Sequence, residues 1–298
     1  MLLQGAFTAL ITPFRNGKVD EEAFRRHIET QIREGIDGLV PCGTTGESAT
    51  LSHEEHREVI RICIDQTKGR VPVIAGAGSN NTSEAEELIR FARDAGADAV
   101  LLITPYYNKP SQEGLYAHFK ALDAAAVSIP AVVYNVPGRT GVNIAPETMA
   151  RIYKNLTHVI GVKEATGNLV QVSDIIEQCG EGFSLLSGDD FTVLPTLALG
   201  GKGVISVIAN IAPRAVHEMC AAWFAGDAAE ASRLHYRLAP LCRACFLETN
   251  PVPVKTALGL LGQIEDYSTR LPLAPLVPAN EARLKDILRA SGYKLRST

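Results

Sequence analysis

The chain has 298 residues, of which 46% are hydrophobic and 21% charged, and its formal net charge is −4. A chain of this size buries roughly three quarters of its unfolded surface, so a large core is available. Like charges form no blocks, which excludes an extended nucleic-acid or membrane-binding surface.

No apolar run approaches the roughly 18 residues that a membrane span needs. The start, Met1-Leu-Leu-Gln-Gly-Ala6, lacks the basic region of a secretory signal. The six cysteines lie in apolar or helix-like contexts and read as reduced thiols of a cytoplasmic protein. Cys242 and Cys245 have C-x-x-C spacing, but there is no second pair and no histidine at zinc spacing. They read as two thiols on a helix face, and no metal is expected.

One punctuation recurs along the chain: a helix end, a glycine, a short polar step and an apolar run. It appears as Glu34-Gly-Ile-Asp-Gly-Leu-Val40, Ala95-Gly-Ala-Asp-Ala-Val-Leu101 and Leu199-Gly-Gly-Lys-Gly-Val-Ile205. Glycine suits the left-handed residue that closes a helix. The short apolar runs that follow suit buried parallel strands. Strands are expected near 6–11, 38–42, 71–76, 98–103, 130–135, 158–163, 183–187 and 203–207. Amphipathic helices are expected near 20–34, 53–68, 83–95, 112–126, 146–154, 169–179, 190–199 and 213–225.

Strict alternation implies parallel βαβ units, and eight units in this length imply an α/β fold closed as a (β/α)8 TIM barrel. A doubly wound open sheet would want a glycine-rich phosphate turn after its first strand, and Ile11-Thr-Pro-Phe-Arg-Asn-Gly17 is not one. Residues 1–226 are therefore read as the catalytic barrel. Residues 227–298 are read as a C-terminal helical region packed on it, with helices near 227–247, 251–262 and 279–291.

Barrel chemistry sits at the C-terminal ends of the strands. The polar residues found there are Gly43-Thr44-Thr45-Gly46-Glu47-Ser48, Thr104-Pro-Tyr106-Tyr107-Asn108, Tyr134-Asn135-Val-Pro-Gly138-Arg139-Thr140, Lys163, Ser187-Gly188-Asp189-Asp190 and Ile205-Ser206. They contain no metal constellation, no phosphate loop and no Ser-His-Asp arrangement. A lysine among tyrosines, threonines, an arginine and glycine turns suits Schiff-base chemistry on an α-keto acid. The amine attacks the keto carbon, hydroxyls move protons, and Arg and backbone amides hold carboxylates.

Of the ten lysines, Lys163 alone ends a buried strand. Lys202 stands at the wrong end of its strand, and Lys109, between Asn108 and Pro110, is expected to be exposed. Alternation along the strand places Val159, Gly161 and Lys163 on one face, with Gly161 expected to leave room beneath the lysine. Glu164 is expected to point away, to a helix or backbone partner.

Gly43-Thr-Thr-Gly-Glu-Ser48, Thr104-Pro-Tyr-Tyr-Asn108, Tyr134-Asn-Val-Pro-Gly-Arg-Thr-Gly141 and Gly161-Val-Lys-Glu-Ala-Thr-Gly-Asn168 resemble, in order, the signatures of the dihydrodipicolinate synthase family. That family lies within the pyruvate-dependent class I aldolase and N-acetylneuraminate lyase superfamily. The likeness runs through Val204-Ile-Ser-Val and Asn250-Pro-Val-Pro-Val-Lys255.

The resemblance implies that Lys163 forms an imine with pyruvate, with no other cofactor. Tyr134, Thr44 and Tyr107 then match the proton-relay hydroxyls, and Tyr107 reaches a neighbouring subunit's site. Thr45 matches the binder of the pyruvate carboxylate, and Arg139 the binder of the second substrate's carboxylate. Gly188 and Ile205 match backbone positions lining the site. The second substrate is L-aspartate-4-semialdehyde, the pathway is the diaminopimelate route to lysine, and the assembly is a homotetramer built as a dimer of dimers.

Ser48, Ala49, Leu51, His53, His56, Asn80, Glu84 and Tyr106 match the positions at which some members bind L-lysine as a feedback inhibitor. Read without that likeness, Ser52-His-Glu-Glu55 is a capping box, Asn81 with Glu84 could be another, and His53 and His56 share a solvated helix face. An N-acetylneuraminate lyase or a 2-keto-3-deoxy-sugar-acid aldolase is the alternative enzyme. Arg139 favours a short aldehyde bearing a carboxylate over a polyol. A metabolite-binding homologue without catalysis is the alternative of another class.

Overall fold

The computed structural model describes residues 2–296. Met1, where the apolar start begins, and the last two residues of the expected C-terminal region lie outside them.

The elements run β1 (Gly5–Ala9), the hairpin β2 (Phe14–Arg15) and β3 (Lys18–Val19), α1 (Glu21–Arg33), β4 (Gly38–Val40), α2 (His53–Thr67), β5 (Ile74–Gly76), α3 (Thr82–Asp94), β6 (Ala99–Ile103), α4 (Gln112–Ala126) and β7 (Ala131–Asn135). There follow α5 (Pro137–Thr140), α6 (Pro146–Asn155), β8 (Val159–Glu164), α7 (Leu169–Cys179), β9 (Ser184–Ser187), α8 (Val193–Ala198), β10 (Gly203–Ser206), α9 (Pro213–Phe224), α10 (Ala228–Cys245), α11 (Val252–Leu260) and α12 (Pro278–Ala290).

Eight strands form one sheet in the order β4-β1-β10-β9-β8-β7-β6-β5. Each pairs with its neighbours in sequence except at the break between β4 and β5, and the first pairs with the last. That cyclic order, with helices between strands, is the (β/α)8 barrel fold. All residues of β1, β4, β7, β9 and β10 are buried, as parallel strands covered on both faces require.

The chain divides into two compact units, one of Pro72–Ile205 with the residues up to Gly5, the other of Ala6–Val71 with the chain from Ser206 onward. In both, the recurring glycine–aspartate punctuation has the same structural meaning. Gly35 and Gly96 take φ of 89° and 90°, left-handed values that glycine tolerates and that close α1 and α3. The aspartate two residues later turns back onto the sheet. Asp98 Oδ2 accepts from the Val73 N–H at 2.8 Å in the first unit, and Asp37 Oδ2 accepts from the Ala6 N–H at 2.7 Å in the second. Each caps the start of the preceding strand of the sheet.

The core of the second unit turns on Asn210. Its Nδ2 donates to the carbonyls of Ala9 at 2.7 Å and Val207 at 2.8 Å, and its Oδ1 accepts from the Ile11 N–H at 3.1 Å. The same Oδ1 lies 2.9 Å from His27 Nε2, so that nitrogen carries the proton. His27 Nδ1 is then a buried acceptor with no partner among the described residues, and burial pushes the imidazole pKa down to about 4.

Residues 14–19, for which no element is expected, are a hairpin on the pair Asn16 and Gly17, with φ of 52° and 76°, as a two-residue turn demands. Three expectations change. The helix expected over 190–199 is the shorter Val193–Ala198. Gly161 does not make room beneath Lys163: a Cβ there would lie 2.2 Å from the Ser184 carbonyl oxygen. Its absence lets β8 and β9 approach each other. The pairing of β7 with β8 also slips between Ala131 and Val132, which oppose Val159 and Gly161. This bulge interrupts the alternation that would put Val159 on the Lys163 face.

Candidate active site

Lys163 occupies the fifth position of β8, opposite Tyr134 of β7 and Leu186 of β9. It is 6% exposed, as is Tyr134, and its Nζ lies 4.2 Å from the centre of the Tyr134 ring. Among the described residues it makes no ion pair. The room for its stem comes from Gly188, just after β9, where a Cβ would stand 3.1 Å from both Cγ and Cε of Lys163. Ile205 is buried on β10, whose Val204 pairs with Ser187.

The carboxylate beside the amine is held elsewhere. Glu164 is buried, and its Oε2 accepts from Asn135 Nδ2 at 2.9 Å and Gln171 Nε2 at 3.2 Å. Its Oε1 accepts from the Thr166 N–H at 2.8 Å. Asn135 also binds Asn143 Oδ1 and the Ile144 N–H, so the network ties β7, β8 and α7 to the segment that follows α5. The expected helix and backbone partners of Glu164 are both found.

Arg139 lies in the last turn of the short helix α5 and is exposed. Tyr107 follows β6 with φ of 70° and is 90% exposed, and Lys109 is exposed as expected. A bulky residue held in the left-handed region marks a constrained loop. Asn80 Nδ2 donates to the Tyr106 carbonyl at 3.0 Å, and Ser79 Oγ donates to a Glu84 carboxylate oxygen. Asn81 caps α3 through the Ser83 N–H.

The second unit carries the loop Gly43–Ser48. Thr45 is 3% exposed, and its Oγ1 accepts from Asn250 Nδ2 at 2.9 Å. Thr44 is half-buried. Glu47, at φ of 55°, meets Lys255 of α11 at 2.7 Å, and its Oε2 accepts from the Arg270 N–H at 2.9 Å. Cys42 precedes the loop, and burial pushes its thiol well above the ordinary value, so it packs as a neutral side chain.

Ser52 opens α2 with a full capping box. Ser48 and Leu51 are half-buried and Ala49 exposed; His53 is exposed whereas His56 is buried, so the two histidines do not share a solvated face. Their three-residue spacing puts His56 at the boundary where α2 turns inward.

Asn250, Glu47 and Lys255 stand in the motifs quoted above, but no role was expected of them. The signal was present, since Lys255 interrupts the apolar run Val252-Pro-Val-Lys-Thr-Ala-Leu258 much as Lys163 interrupts its own. Among the described residues no group of three or more His, Cys, Asp or Glu could hold a metal ion. No helix there is long and apolar enough to cross a membrane.

A barrel with a buried lysine, unpaired among the described residues, near the C-terminal end of one strand defines a class, the lyases of the class I aldolase type. Within it the chain belongs to the dihydrodipicolinate synthetase family, whose model matches residues 2–291. It is 66% identical over 292 residues to the 4-hydroxy-tetrahydrodipicolinate synthase of Nitratidesulfovibrio vulgaris strain Miyazaki F, covering 98% of this chain and 99% of that protein. The structure of dihydrodipicolinate synthase from Aquifex aeolicus superposes with a TM-score of 0.97 at 46% identity, over 99% of this chain and 100% of that one. The enzyme from Cyanidioschyzon merolae with lysine bound gives a TM-score of 0.94 at 40% identity, over 97% of this chain and 98% of that one.

Proposed function

We propose that the chain condenses pyruvate with L-aspartate-4-semialdehyde, as a 4-hydroxy-tetrahydrodipicolinate synthase in the diaminopimelate route to lysine. The observation that carries this reading is the Lys163 amine, buried beside Tyr134 and without an ion-pair partner among the described residues. An amine that carries no ion pair can offer its nitrogen to the keto carbon.

In this mechanism Nζ of Lys163 attacks the keto carbon of pyruvate and water leaves, forming an imine with no further cofactor. Loss of a methyl proton gives the enamine, whose carbon attacks the aldehyde. The semialdehyde's own amine then displaces the lysine and closes the ring. Tyr134, Thr44 and Tyr107 move the protons, Thr45 holds the pyruvate carboxylate and Arg139 holds that of the semialdehyde. Gly188 and Ile205 line the site with backbone. Arg139 and the closeness of the curated relative favour this over a sugar-acid aldolase.

Borohydride with pyruvate, followed by mass mapping, tests the reading: an adduct on Lys163 is expected, and its absence refutes the mechanism. Turnover with aspartate semialdehyde but not with N-acetylmannosamine is expected to follow.

L-lysine is the proposed inhibitor, bound through Ser48, Ala49, Leu51, His53, His56, Asn80, Glu84 and Tyr106. The lysine-bound relative supports this, as does the Asn80–Tyr106 hydrogen bond. Unchanged turnover at millimolar lysine would sink the idea. A homotetramer is supported by the exposure of Tyr107, the residue proposed to reach a neighbour. It is also supported by an apolar groove of about 450 Å³ lined by Leu169, Val170, Pro195 and Leu199. A cytoplasmic location suits six buried thiols.

A further inference from the structure

We infer that Asn250 is a positioning residue for the pyruvate carboxylate, acting through the hydroxyl of Thr45. The inference rests on the reading of Thr45 as the carboxylate binder. Its geometry lies wholly within the second unit.

The loop that carries Thr45 has little freedom. The Gly46 N–H donates to the Gly43 carbonyl at 3.1 Å, and the Glu47 N–H to the Thr44 carbonyl at 3.1 Å. Thr12 Oγ1 donates to the Gly46 carbonyl at 2.7 Å, and a Cβ at Gly46 would lie 3.1 Å from the Leu10 carbonyl oxygen. Glu47 is fixed by Lys255. The backbone is set, and the torsion of the Thr45 hydroxyl is what remains.

A hydroxyl has one proton and two lone pairs. Asn250 Nδ2, 5% exposed in its residue, fills one lone pair of Thr45 Oγ1 at 2.9 Å. The hydroxyl proton is thereby turned away from Asn250, and among the described residues no acceptor receives it. Thr45 is left as a donor, the polarity that an anionic oxygen needs, and an O–H···O⁻ bond is among the strong ones. Without Asn250 the hydroxyl can rotate and present a lone pair to the carboxylate.

The tie comes from one stretch of chain: Asn250 stands just before α11 and Lys255 lies within its first turns, and they reach Thr45 and Glu47 of one loop. The segment after the barrel strands thus contributes to substrate recognition without touching substrate.

The test compares Asn250→Ala and Asn250→Asp, alone and in a Thr45→Val background, by steady-state kinetics in both substrates and by thermal melting. Asn250→Ala is expected to raise the KM for pyruvate ~10-fold, with kcat and the KM for the semialdehyde changed far less. Asn250→Asp keeps the shape, cannot donate and draws the Thr45 proton to itself, so a larger rise is expected. In the Thr45→Val background neither substitution should raise that KM further.

An unchanged KM for pyruvate, a rise confined to kcat, or additive effects in the double variant would overturn the inference. So would loss of the folded melt in both single variants, which would make Asn250 structural. Borohydride trapping at saturating pyruvate separates this from the underlying mechanism. Trapping on Lys163 should persist in the Asn250 variants, whereas its failure in the unsubstituted enzyme would refute the Schiff-base reading itself.

Discussion

Nζ of Lys255 stands 2.7 Å from Oε1 of Glu47, with the two side chains 0% and 1% exposed. The ring of Phe14 lies beneath the ammonium at 4.1 Å, and the Arg270 guanidinium is 4.3 Å from the same ring. Burial lowers the Lys255 pKa below the usual ammonium value, and Glu47 pulls it back up. Breaking one half of such a pair strands the other charge away from water.

Lys255→Met is therefore expected to destabilise the fold by about 3–5 kcal/mol, read as the denaturant midpoint at constant slope. Adding Glu47→Gln to the same chain should restore part of the loss, because the stranded charge is gone. A single variant that unfolds at the parent midpoint would show that the pair carries no net weight.

The pH dependence of stability follows from two buried histidines. Burial pushes both His27 and His118 down to about 4 from an ordinary 6.5. The native state keeps them neutral while the unfolded chain takes up protons, so this stability is complete above pH 6.5. It drains as the pH falls from 6.5 to 4. Two and a half pH units correspond to at most about 3 kcal/mol for each ring. Melting temperatures between pH 7 and pH 4 should fall, and His27→Gln should flatten the slope. Parallel slopes in parent and variant would remove His27 from the account.

Two glycines near Lys163 should respond differently to alanine. At Gly188 the new methyl meets Cγ and Cε of Lys163 at 3.1 Å and the Ala165 Cβ at 2.7 Å. Overpacking of this kind costs about 1–3 kcal/mol, and the lysine is displaced from its path, so kcat should fall by roughly tenfold or more. At Gly161 the methyl meets the Ser184 backbone, with its carbonyl oxygen at 2.2 Å, and the strands themselves must part. Gly161→Ala should appear chiefly as a lower melting temperature or lost expression. A Gly188→Ala enzyme with parent turnover would contradict the role given to that space.

The barrel was legible because its signals are periodic and local: apolar runs, amphipathic helices and the glycine that ends several of the helices. Lys163 was legible because a charge in an apolar strand is costly wherever the strand goes. Lys255 follows the same logic, yet only the fold reveals that Glu47, 208 residues away, satisfies it. The partners of Glu164 were foreseen in kind, from strand alternation, but not by name. The space around Lys163 was assigned to Gly161 because alternation tells which residues share a face and not how closely the neighbouring strand approaches at Ser184. The Asn16-Gly17 turn did leave one, a dipeptide suited to positive φ at both positions.

The Glu47–Lys255 tie has a consequence in time. At about 5–20 residues per second, ribosomal synthesis delivers Lys255 roughly 10–40 s after Glu47. Until then the loop after β4 has neither its counter-charge nor the amide of Asn250. A nascent chain can carry Thr44, Tyr107, Tyr134 and Lys163 while the loop of Thr45 is still unanchored. Competence waits on the last quarter of the sequence.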